Sequence, residues 1–304
     1  MFKIIPNTFK YNSLSNAKLS KLKFAVFRPS GNDTALIHGV IQDSKLRKII
    51  ADAIQNKYLN VEQVGFINNN PQDAELMMTG GEFCGNATSS AAYQILSGRP
   101  GEIKIKVSGV RKKLIAGVTE KGESFSQMPV YSDPSYIRPD VDSSGNFLVT
   151  LEGITHYVDF DVHKIKGLTI DEIKIEAKKK MQLKGLDQNS ACGIIYTEKV
   201  KDTWVIYPVV YVKNADTLYY ETACGSGTTA LGLILALKNR DSINEIPVIQ
   251  PSGLTIKVSV EFNNTSFGFV KIQSRVRQLG NGILTMDESS KISFESLLNR
   301  LIHI

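Results

Sequence analysis

The chain is poor in the residues that build metal centres and disulfide bonds. Its 304 residues include three cysteines, four histidines and one tryptophan. The sequence has neither a Cys-x-x-Cys pair nor a His-Glu-x-x-His motif, and its histidines are scattered, so we expect no metal site. Three cysteines in a chain without a secretory signal indicate a reducing compartment, and we expect the protein to be cytoplasmic.

Long apolar runs and clustered charge are missing as well. No run reaches the roughly 18 apolar residues of a membrane-spanning helix, and residues 1–23 do not resemble a secretory signal. The net charge of +6 is spread along the chain. Its densest basic runs, 111–113 and 178–180, have no interleaved aromatic residues, so we interpret them as solvated faces. We therefore expect neither nucleic acid nor membrane as a partner.

What the chain does contain is one motif written twice. Residues 82–90 read Glu-Phe-Cys-Gly-Asn-Ala-Thr-Ser-Ser, and residues 221–229 read Glu-Thr-Ala-Cys-Gly-Ser-Gly-Thr-Thr. In each, a cysteine and a glycine precede small polar residues and then an apolar run of helical periodicity. Cys84 and Cys224 lie 140 residues apart (224 − 84), about half the chain. This period predicts two similar domains, each with a thiol at the start of a helix.

The rest of the sequence repeats the same order of elements. Alternating apolar residues predict mostly β-structure, with one central apolar helix in each half. The composition shifts to Pro, Asp, Ser and Gly around residues 129–145, which marks a domain boundary. We predict a first domain over 1–138 with Cys84 and a second over 139–280 with Cys224. The C-terminal segment, about 281–304, is expected to pack with the first domain.

A cysteine at a helix start can act as a base. Free N–H groups and the helix dipole favour a thiolate there, so we expect both helix N-termini to lower the pKa of their thiols. The N–H groups at Gly85-Asn86 and at Gly225-Ser226 are candidate donors to one substrate carboxylate. Two facing thiols are what a reaction needs if it removes a proton from one face of a carbon and returns one to the other.

Other polar residues, and cysteines in general, also have plainer structural interpretations that compete with a role in a site. A lone buried cysteine is usually a small hydrophobic residue, and we interpret Cys192 in that way. Asn32 lies in a turn, where asparagine is common for conformational reasons. The plain alternatives are a strand start for Glu62-Gln63, a strand histidine for His156 and a solvated acid for Glu221.

Taken together, the motifs resemble the diaminopimelate-epimerase-like amino-acid racemases, which work without pyridoxal phosphate. The resemblance spans about residues 24–285. It is closest to the histidine racemase branch of staphylopine-type metallophore biosynthesis. The residues that carry it are 31–33, 62–67, 82–88, 107–109, 127–129, 155–158, 221 and 223–227.

The resemblance implies a fold and a site. The expected fold is α/β, with two pseudo-symmetric domains that are each a curled, mostly antiparallel sheet around a central helix. The cleft between the domains would hold a small-molecule amino acid, without a cofactor. The implied site comprises catalytic Cys84 and Cys224, substrate-binding Asn32, Gln63, Gly85, Asn86, Gly225 and Ser226, and supporting Glu62, His156 and Glu221.

The substrate follows less directly. Diaminopimelate epimerase itself holds the distal end of its substrate with a Glu-Arg pair and two asparagines. Here the stretch 213–217 has no arginine, and Ile154 and Gly193 stand near the asparagine positions. We expect conversion of L-histidine to D-histidine for metallophore biosynthesis. The alternatives are diaminopimelate epimerase, a proline-racemase-like enzyme, and a non-catalytic amino-acid-binding relative. The sequence leaves open whether the protein is a homodimer.

Overall fold

A computed structural model describes residues 20–142, 145–213, 216–286 and 292–296, and within these ranges the chain forms eighteen strands and four α-helices. The strands before residue 140 are β1 (Ser20–Pro29), β2 (Asp33–His38), β3 (Val61–Asn68), β4 (Ala74–Met78), β5 (Gly101–Val107), β6 (Leu114–Val118), β7 (Ser124–Gln127) and β8 (Ile137–Pro139). The later strands are β9 (Phe147–Leu151), β10 (Ile154–Asp159), β11 (Ala191–Val200), β12 (Thr203–Val212), β13 (Thr217–Tyr220), β14 (Ile243–Ile249), β15 (Thr255–Phe262), β16 (Phe267–Ser274), β17 (Val276–Met286) and β18 (Ile292–Ser296). The helices are α1 (Ser44–Lys57), α2 (Gly85–Leu96), α3 (Ile170–Leu183) and α4 (Gly225–Asn239).

The pairing of the strands repeats along the chain. In the first part, β1–β2, β3–β4, β5–β6 and β6–β7 pair antiparallel, whereas β2–β3 and β4–β5 pair parallel. In the second part, β9–β10, β11–β12, β14–β15 and β15–β16 pair antiparallel, whereas β10–β11 and β12–β14 pair parallel. A helix fills each parallel connection: α1 and α2 in the first part, α3 and α4 in the second.

Three further pairings link the two repeats. β7 and β16 pair antiparallel through their equivalent edges. β17, which follows β16 in the chain, pairs with β1 of the first repeat, and β8 pairs with β9 of the second. The predicted boundary between residues 138 and 139 falls inside β8. The division into domains at that point stays a prediction. Of the segment about 281–304, residues 287–291 and 297–304 lie outside the described residues.

The two central helices are the core of the molecule. In α2 every residue from Gly85 to Ala92 is buried, and in α4 ten residues are buried, including Leu231, Leu233 and Ile234. Small residues let the strands approach α4 closely, since a Cβ at Gly232 would lie 2.7 Å from the Val258 side chain. The predicted α/β class, with mostly antiparallel strands around a central helix in each half, is confirmed. None of the described helices is long and apolar enough to cross a membrane.

Candidate active site

Both helices of the repeated motif begin at a cysteine. Cys84 is the N-cap of α2, and its Sγ accepts a hydrogen bond from the N–H of Ala87 at 3.4 Å. Cys224 is the N-cap of α4, and its Sγ accepts from the N–H of Gly227 at 3.3 Å. The backbone angles of the two cysteines also agree, at φ −135°, ψ 112° and φ −125°, ψ 105°. The sequence repeat is therefore a repeat of one cap geometry.

A threonine stabilises the first turn in both helices. Thr88 Oγ1 donates to the carbonyl of Cys84 at 2.8 Å, and Thr228 Oγ1 donates to the carbonyl of Cys224 at 2.7 Å. The N–H groups at the start of each helix have no acceptor within the helix, because the ladder of hydrogen bonds begins one turn later. Since Ala87 and Gly227 already donate to the cysteine sulfurs, the donors available to an anion are the N–H groups before them, at Gly85-Asn86 and at Gly225-Ser226.

The two helix ends meet. Asn86 Nδ2 donates to the carbonyl of Ala223 at 2.9 Å, which joins α2 to the residue before Cys224. Glycine follows each cysteine because Ile272 leaves no room for a side chain at either position. A Cβ at Gly85 would lie 2.9 Å, and one at Gly225 2.5 Å, from the same Ile272 methyl group. The two N-termini can therefore act on one ligand.

A cleft opens beside them, and we call its first part the thiol chamber. Its empty volume, including the part open to solvent, is about 500 Å³. Its lining residues are Asn32, Gln63, Glu82, Phe83, Cys84, Gly85, Asn86, Gly153, Ile154, Ala191, Val210, Val212, Glu221, Gly225 and Ser226. The chamber includes all six predicted substrate-binding residues. Cys84 borders it directly, whereas Cys224 is 1% exposed and lies outside the lining.

The cleft continues into a second part, which we call the acidic chamber. Its lining residues are Lys48, Ala51, Asp52, Gln55, Glu62, Gln63, Val64, Thr79, Glu82, Val210, Val212, Thr217, Tyr219 and Glu221. It includes four carboxylates and one lysine, and neither cysteine borders it. Gln63, Glu82 and Glu221, with two valines, border both chambers.

Glu62 connects the two repeats next to the cleft. Its Oε2 accepts from Asn32 Nδ2 at 3.2 Å and from the N–H of Thr222 at 3.3 Å, and its Oε1 accepts from the Thr222 hydroxyl. Asn32 Nδ2 also lies 3.3 Å from the carbonyl of Ala223. Burial raises the pKa of Glu62 to about 7, although the bonds to Thr222 act in the opposite direction. Glu62 thus positions the segment that leads into Cys224.

The helix N–H groups act on both thiols in the expected direction, but the expectation of lowered thiol pKa values is wrong for the ligand-free protein. Burial raises the pKa of the Cys84 thiol to about 12, and the N–H of Ala87 offsets only part of this effect. The pKa of Cys224 is raised well above its ordinary value, first by burial and then by the Glu221 carboxylate. Removing a thiolate from water costs more free energy than a single helix end returns. Both thiols are therefore protonated in the empty site.

Two carboxyl groups accompany the thiols. Glu221 is 8% exposed, and burial raises its pKa to about 8 while its interaction with the Cys224 thiol lowers it. Burial also raises the pKa of Glu82. Like charge adds to the effect on Glu221, because Glu62 and Glu82 act on it, whereas the charge of Arg47 lowers the pKa of Glu82. Burial therefore favours the protonated forms of both carboxyl groups in the empty cleft.

His156 lies apart from the cleft lining. The residue is fully buried in β10, opposite Gly193 of β11, where a Cβ would lie 2.5 Å from the His156 Nδ1. Neither ring nitrogen meets hydrogen-bond geometry with a described group, although the Gly193 backbone acts on the ring. Burial lowers the pKa of His156 to about 3, so the ring is neutral. Cys192 is buried in a separate apolar cluster, as its interpretation as a core residue requires.

Sequence reasoning missed three residues that the structure places at the site. Glu82 borders both chambers, Thr222 binds Glu62, and Gln250 Oε1 accepts from the N–H of Cys224 at 2.9 Å. Glu82 stands inside the repeated motif, so its position was a signal. Thr222 and Gln250 act through contacts between distant parts of the chain, which the sequence alone does not reveal. Among the described residues, no cluster of His, Cys, Asp and Glu could hold a metal ion.

Known proteins are similar to this chain in sequence and in fold. Residues 21–284 match the protein family described as histidine racemase CntK N-terminal domain. A histidine racemase from Fusobacterium nucleatum subsp. nucleatum is 32% identical over 248 residues, covering 78% of this chain and 89% of that protein. A histidine racemase from Staphylococcus aureus is 26% identical over 251 residues, covering 78% and 88%.

Solved structures repeat the architecture at low sequence identity. A hydroxyproline epimerase from Agrobacterium vitis superimposes with a TM-score of 0.55 at 14% identity, covering 90% of this chain and 93% of that one. A PhzF-family phenazine biosynthesis protein from Enterococcus faecalis gives a TM-score of 0.55 at 15% identity, covering 87% and 99%. At such identities the likeness is one of fold alone.

Proposed function

The chain belongs to the histidine racemase family, and on that premise we propose that it interconverts L-histidine and D-histidine with Cys84 and Cys224 as its two acid–base groups. It is an isomerase, an amino-acid racemase. The observation that carries the two-cysteine proposal is the matched cap geometry. Each thiol lies at the start of a central helix and accepts one N–H bond from the first turn, and the bond from Asn86 to the carbonyl of Ala223 joins the two helix starts.

The reaction needs one thiolate and one thiol. The thiolate takes the α-hydrogen as a proton and becomes a thiol, while the electron pair of the broken C–H bond moves toward the substrate carboxylate. The second thiol donates its proton to the opposite face of the α-carbon and becomes the thiolate. The number of protons is unchanged, and the next turnover in the reverse direction exchanges the two roles.

The helix ends stabilise the charge that develops. When the α-carbon loses its proton, the carboxylate gains negative charge, and the N–H groups at Gly85-Asn86 and Gly225-Ser226 lie at the ends of α2 and α4 where they can donate to it. These donors are already oriented by the helices, so little reorganisation accompanies proton transfer. The short distance from Gly225 to Asn86 keeps both ends on one ligand.

The substrate supplies the charge that the empty site lacks. An amino acid carries an α-ammonium group into a cleft bordered by Glu82 and Glu221, and a nearby cation favours the thiolate. Cys84 is the easier thiol to ionise, since Glu221 interacts with Cys224 directly and with Cys84 only through space.

Two further parts of the proposal concern the setting. A free-thiol mechanism suits a reducing, cytoplasmic environment. Supply of D-histidine for a staphylopine-type metallophore is proposed on the resemblance to that racemase branch alone.

The test is exchange of the α-proton in deuterated water over a panel of amino acids that includes histidine, proline and diaminopimelate. We expect histidine to exchange fastest, and Cys84→Ala and Cys224→Ala to abolish racemisation. Cys192→Ala is the matched control, because that thiol is buried in an apolar cluster away from the cleft. Full racemisation by either active-site variant would exclude the two-thiol mechanism.

The same panel separates the alternative functions. Proline as the fastest substrate would favour a proline-racemase-like enzyme, and diaminopimelate would favour that epimerase. An amino acid that binds, measured by calorimetry, but never exchanges its α-proton would favour a binding protein.

A further inference from the structure

One oxygen atom at the cleft has no partner. Oε2 of Glu82 is buried and makes no hydrogen bond to any described group. The backbone N–H groups of Gly80 and of Glu82 itself do act on the carboxyl group. A buried carboxylate oxygen without a donor is costly, and such a group in a folded protein calls for an explanation.

No nearby cation supplies the missing partner. Among the described residues, no lysine, arginine or histidine lies within ion-pair distance of Glu82. Arg47 acts on it only through space, because its guanidinium donates to the carbonyls of Thr79, Ile41 and Gln42 at 2.8–3.0 Å. The acceptor is therefore unsatisfied within the described protein, and because Glu82 borders both chambers, a ligand in the cleft can supply the donor.

The backbone holds Glu82 in place. Ser108 Oγ donates to the carbonyl of Glu82 at 2.6 Å and accepts from the N–H of Met78 at 2.9 Å. Gly109 lets the two segments touch, since a Cβ there would lie 2.6 Å from the N of Phe83, and its φ of +76° also suits glycine. The carboxyl group is thus positioned before any ligand binds, which is how a selective site is built.

Glu82 stands where the two chambers join. The thiol chamber holds the cysteine helix ends, so the α-carbon of a substrate and its carboxylate belong there. The acidic chamber contains neither cysteine, and Glu62, Gln55 and Tyr219 line its wall. A side chain that leaves the α-carbon in the direction of the acidic chamber must pass Glu82, Gln63 and Glu221.

The α-ammonium group has a different acceptor. It is bonded to the carbon that the thiols flank in the proposed mechanism, and Glu221 borders the thiol chamber and interacts with the Cys224 thiol directly, so Glu221 is the acceptor best placed for it. Glu82 acts on Cys84 only through space. The two carboxylates can therefore bind different groups of the substrate: Glu221 binds the ammonium group, and Glu82 binds the side chain.

We propose that Glu82 determines the side-chain specificity of the enzyme, because its unpartnered Oε2 accepts a hydrogen bond from a side-chain N–H of the substrate. The substrate class is amino acids with a nitrogen-bound hydrogen at the distance of an imidazole ring. This inference rests on the proposed racemase function and adds Glu82 as the group that recognises the side chain of the substrate.

The test compares histidine with β-(2-thienyl)alanine, an amino acid of similar shape whose ring has no N–H. Exchange of the α-proton in deuterated water gives kcat/KM for both substrates with the wild type and with Glu82→Gln. We expect Glu82→Gln to lower kcat/KM for histidine by about 10- to 100-fold, the effect of one charged hydrogen bond, and to leave thienylalanine almost unchanged. Glu102→Gln, on the exposed edge of β5, is the matched control and should change neither value.

Each outcome is decisive. An equal loss for both substrates would overturn the proposal, because Glu82 would then act at the α-carbon or on the fold, and so would no loss for histidine. If Glu82→Gln does not fold, judged by circular dichroism, Glu82→Asp is the second variant, because it keeps the charge but shortens the side chain and moves the oxygen away from the ligand. The losses of kcat/KM for histidine and for thienylalanine are then compared in the same way. A wild type that exchanges no amino acid would refute the proposed function instead, which is a separate result.

Discussion

The buried carboxyl group of Glu221 should make the ligand-free protein less stable as the pH rises. Its pKa is raised from 4.5 to about 8 in the folded protein, chiefly by burial. Between these two values the folded state holds a proton that the unfolded state has lost, so stability falls with pH in this window and not above it. The difference of about 3.5 pH units, at 1.36 kcal/mol each, corresponds to on the order of 5 kcal/mol as an upper limit.

The substitution Glu221→Gln removes this ionisation while keeping the shape of the side chain. We expect the free energy of unfolding, measured by urea denaturation, to decline between about pH 6.5 and pH 8 in the wild type and to decline less in the variant. Below this range the neutral ring of His156 acts in the opposite direction. Glu62 and Glu82 keep part of the slope, because their pKa values are raised in the same direction. Glu102→Gln should behave like the wild type.

The same variant should lose racemase activity, since Glu221 is the acceptor assigned to the substrate ammonium. A gain in stability at pH 9 together with a loss of activity is the signature of a group retained for function. Parallel pH curves for wild type and Glu221→Gln would refute the reasoning, because they would show that Glu221 ionises as easily in the folded protein as in the unfolded one.

Three other predictions concern the thiols and the substrate. Iodoacetamide should alkylate Cys84 before Cys224 in the ligand-free protein, because Cys84 borders the cleft and Cys224 is 1% exposed; equal rates in peptide mass spectra would contradict this order. Diaminopimelate should turn over poorly, since Ile154 at the thiol chamber offers no donor to a second carboxylate, and epimerisation at the rate of histidine would contradict it. The pH profile of activity should be bell-shaped, with two apparent pKa values that belong to the pair of thiols and not to either one. His156→Asn should leave both limbs of the profile in place, because the His156 ring is already neutral. A shifted limb would assign His156 an electrostatic role.

Sequence patterns within a few residues predicted the helix starts, because a helix cap depends on residues that are neighbours in the chain. The cysteine caps of α2 and α4 follow from a cysteine, a glycine and small polar residues before an apolar run, and the structure places both helices there. Two strands contain residues that oppose a strand and depend on pairing with distant parts of the chain. β14 includes Pro247 and a register shift near Glu245, which has a φ of +49°. β17 contains Gly280 and Gly282 and is held by its pairing with β1.

The site was predictable as far as it depends on the helix starts. The sign of the thiol pKa shift was not, because burial depends on the whole fold while the helix end is visible in the sequence. The bond between Thr222 and Glu62 joins residues 160 positions apart. Glu82 became a candidate only when the structure showed that its Oε2 lacks a partner.

The symmetry of the site matches the symmetry of the reaction. Inversion exchanges the two faces of the α-carbon, and the parts that serve those faces are repeated: a thiol, an N–H donor to it, and a helix end in each half. The ammonium and the side chain do not exchange places, so their partners need not be repeated. Glu221 lies three residues before Cys224, where Gly81 stands before Cys84, and Thr222 stands at the position equivalent to Glu82. In the proposed mechanism, the carboxylates that break the repeat are the ones that distinguish the ammonium group from the side chain, whereas the repeated thiols serve both enantiomers.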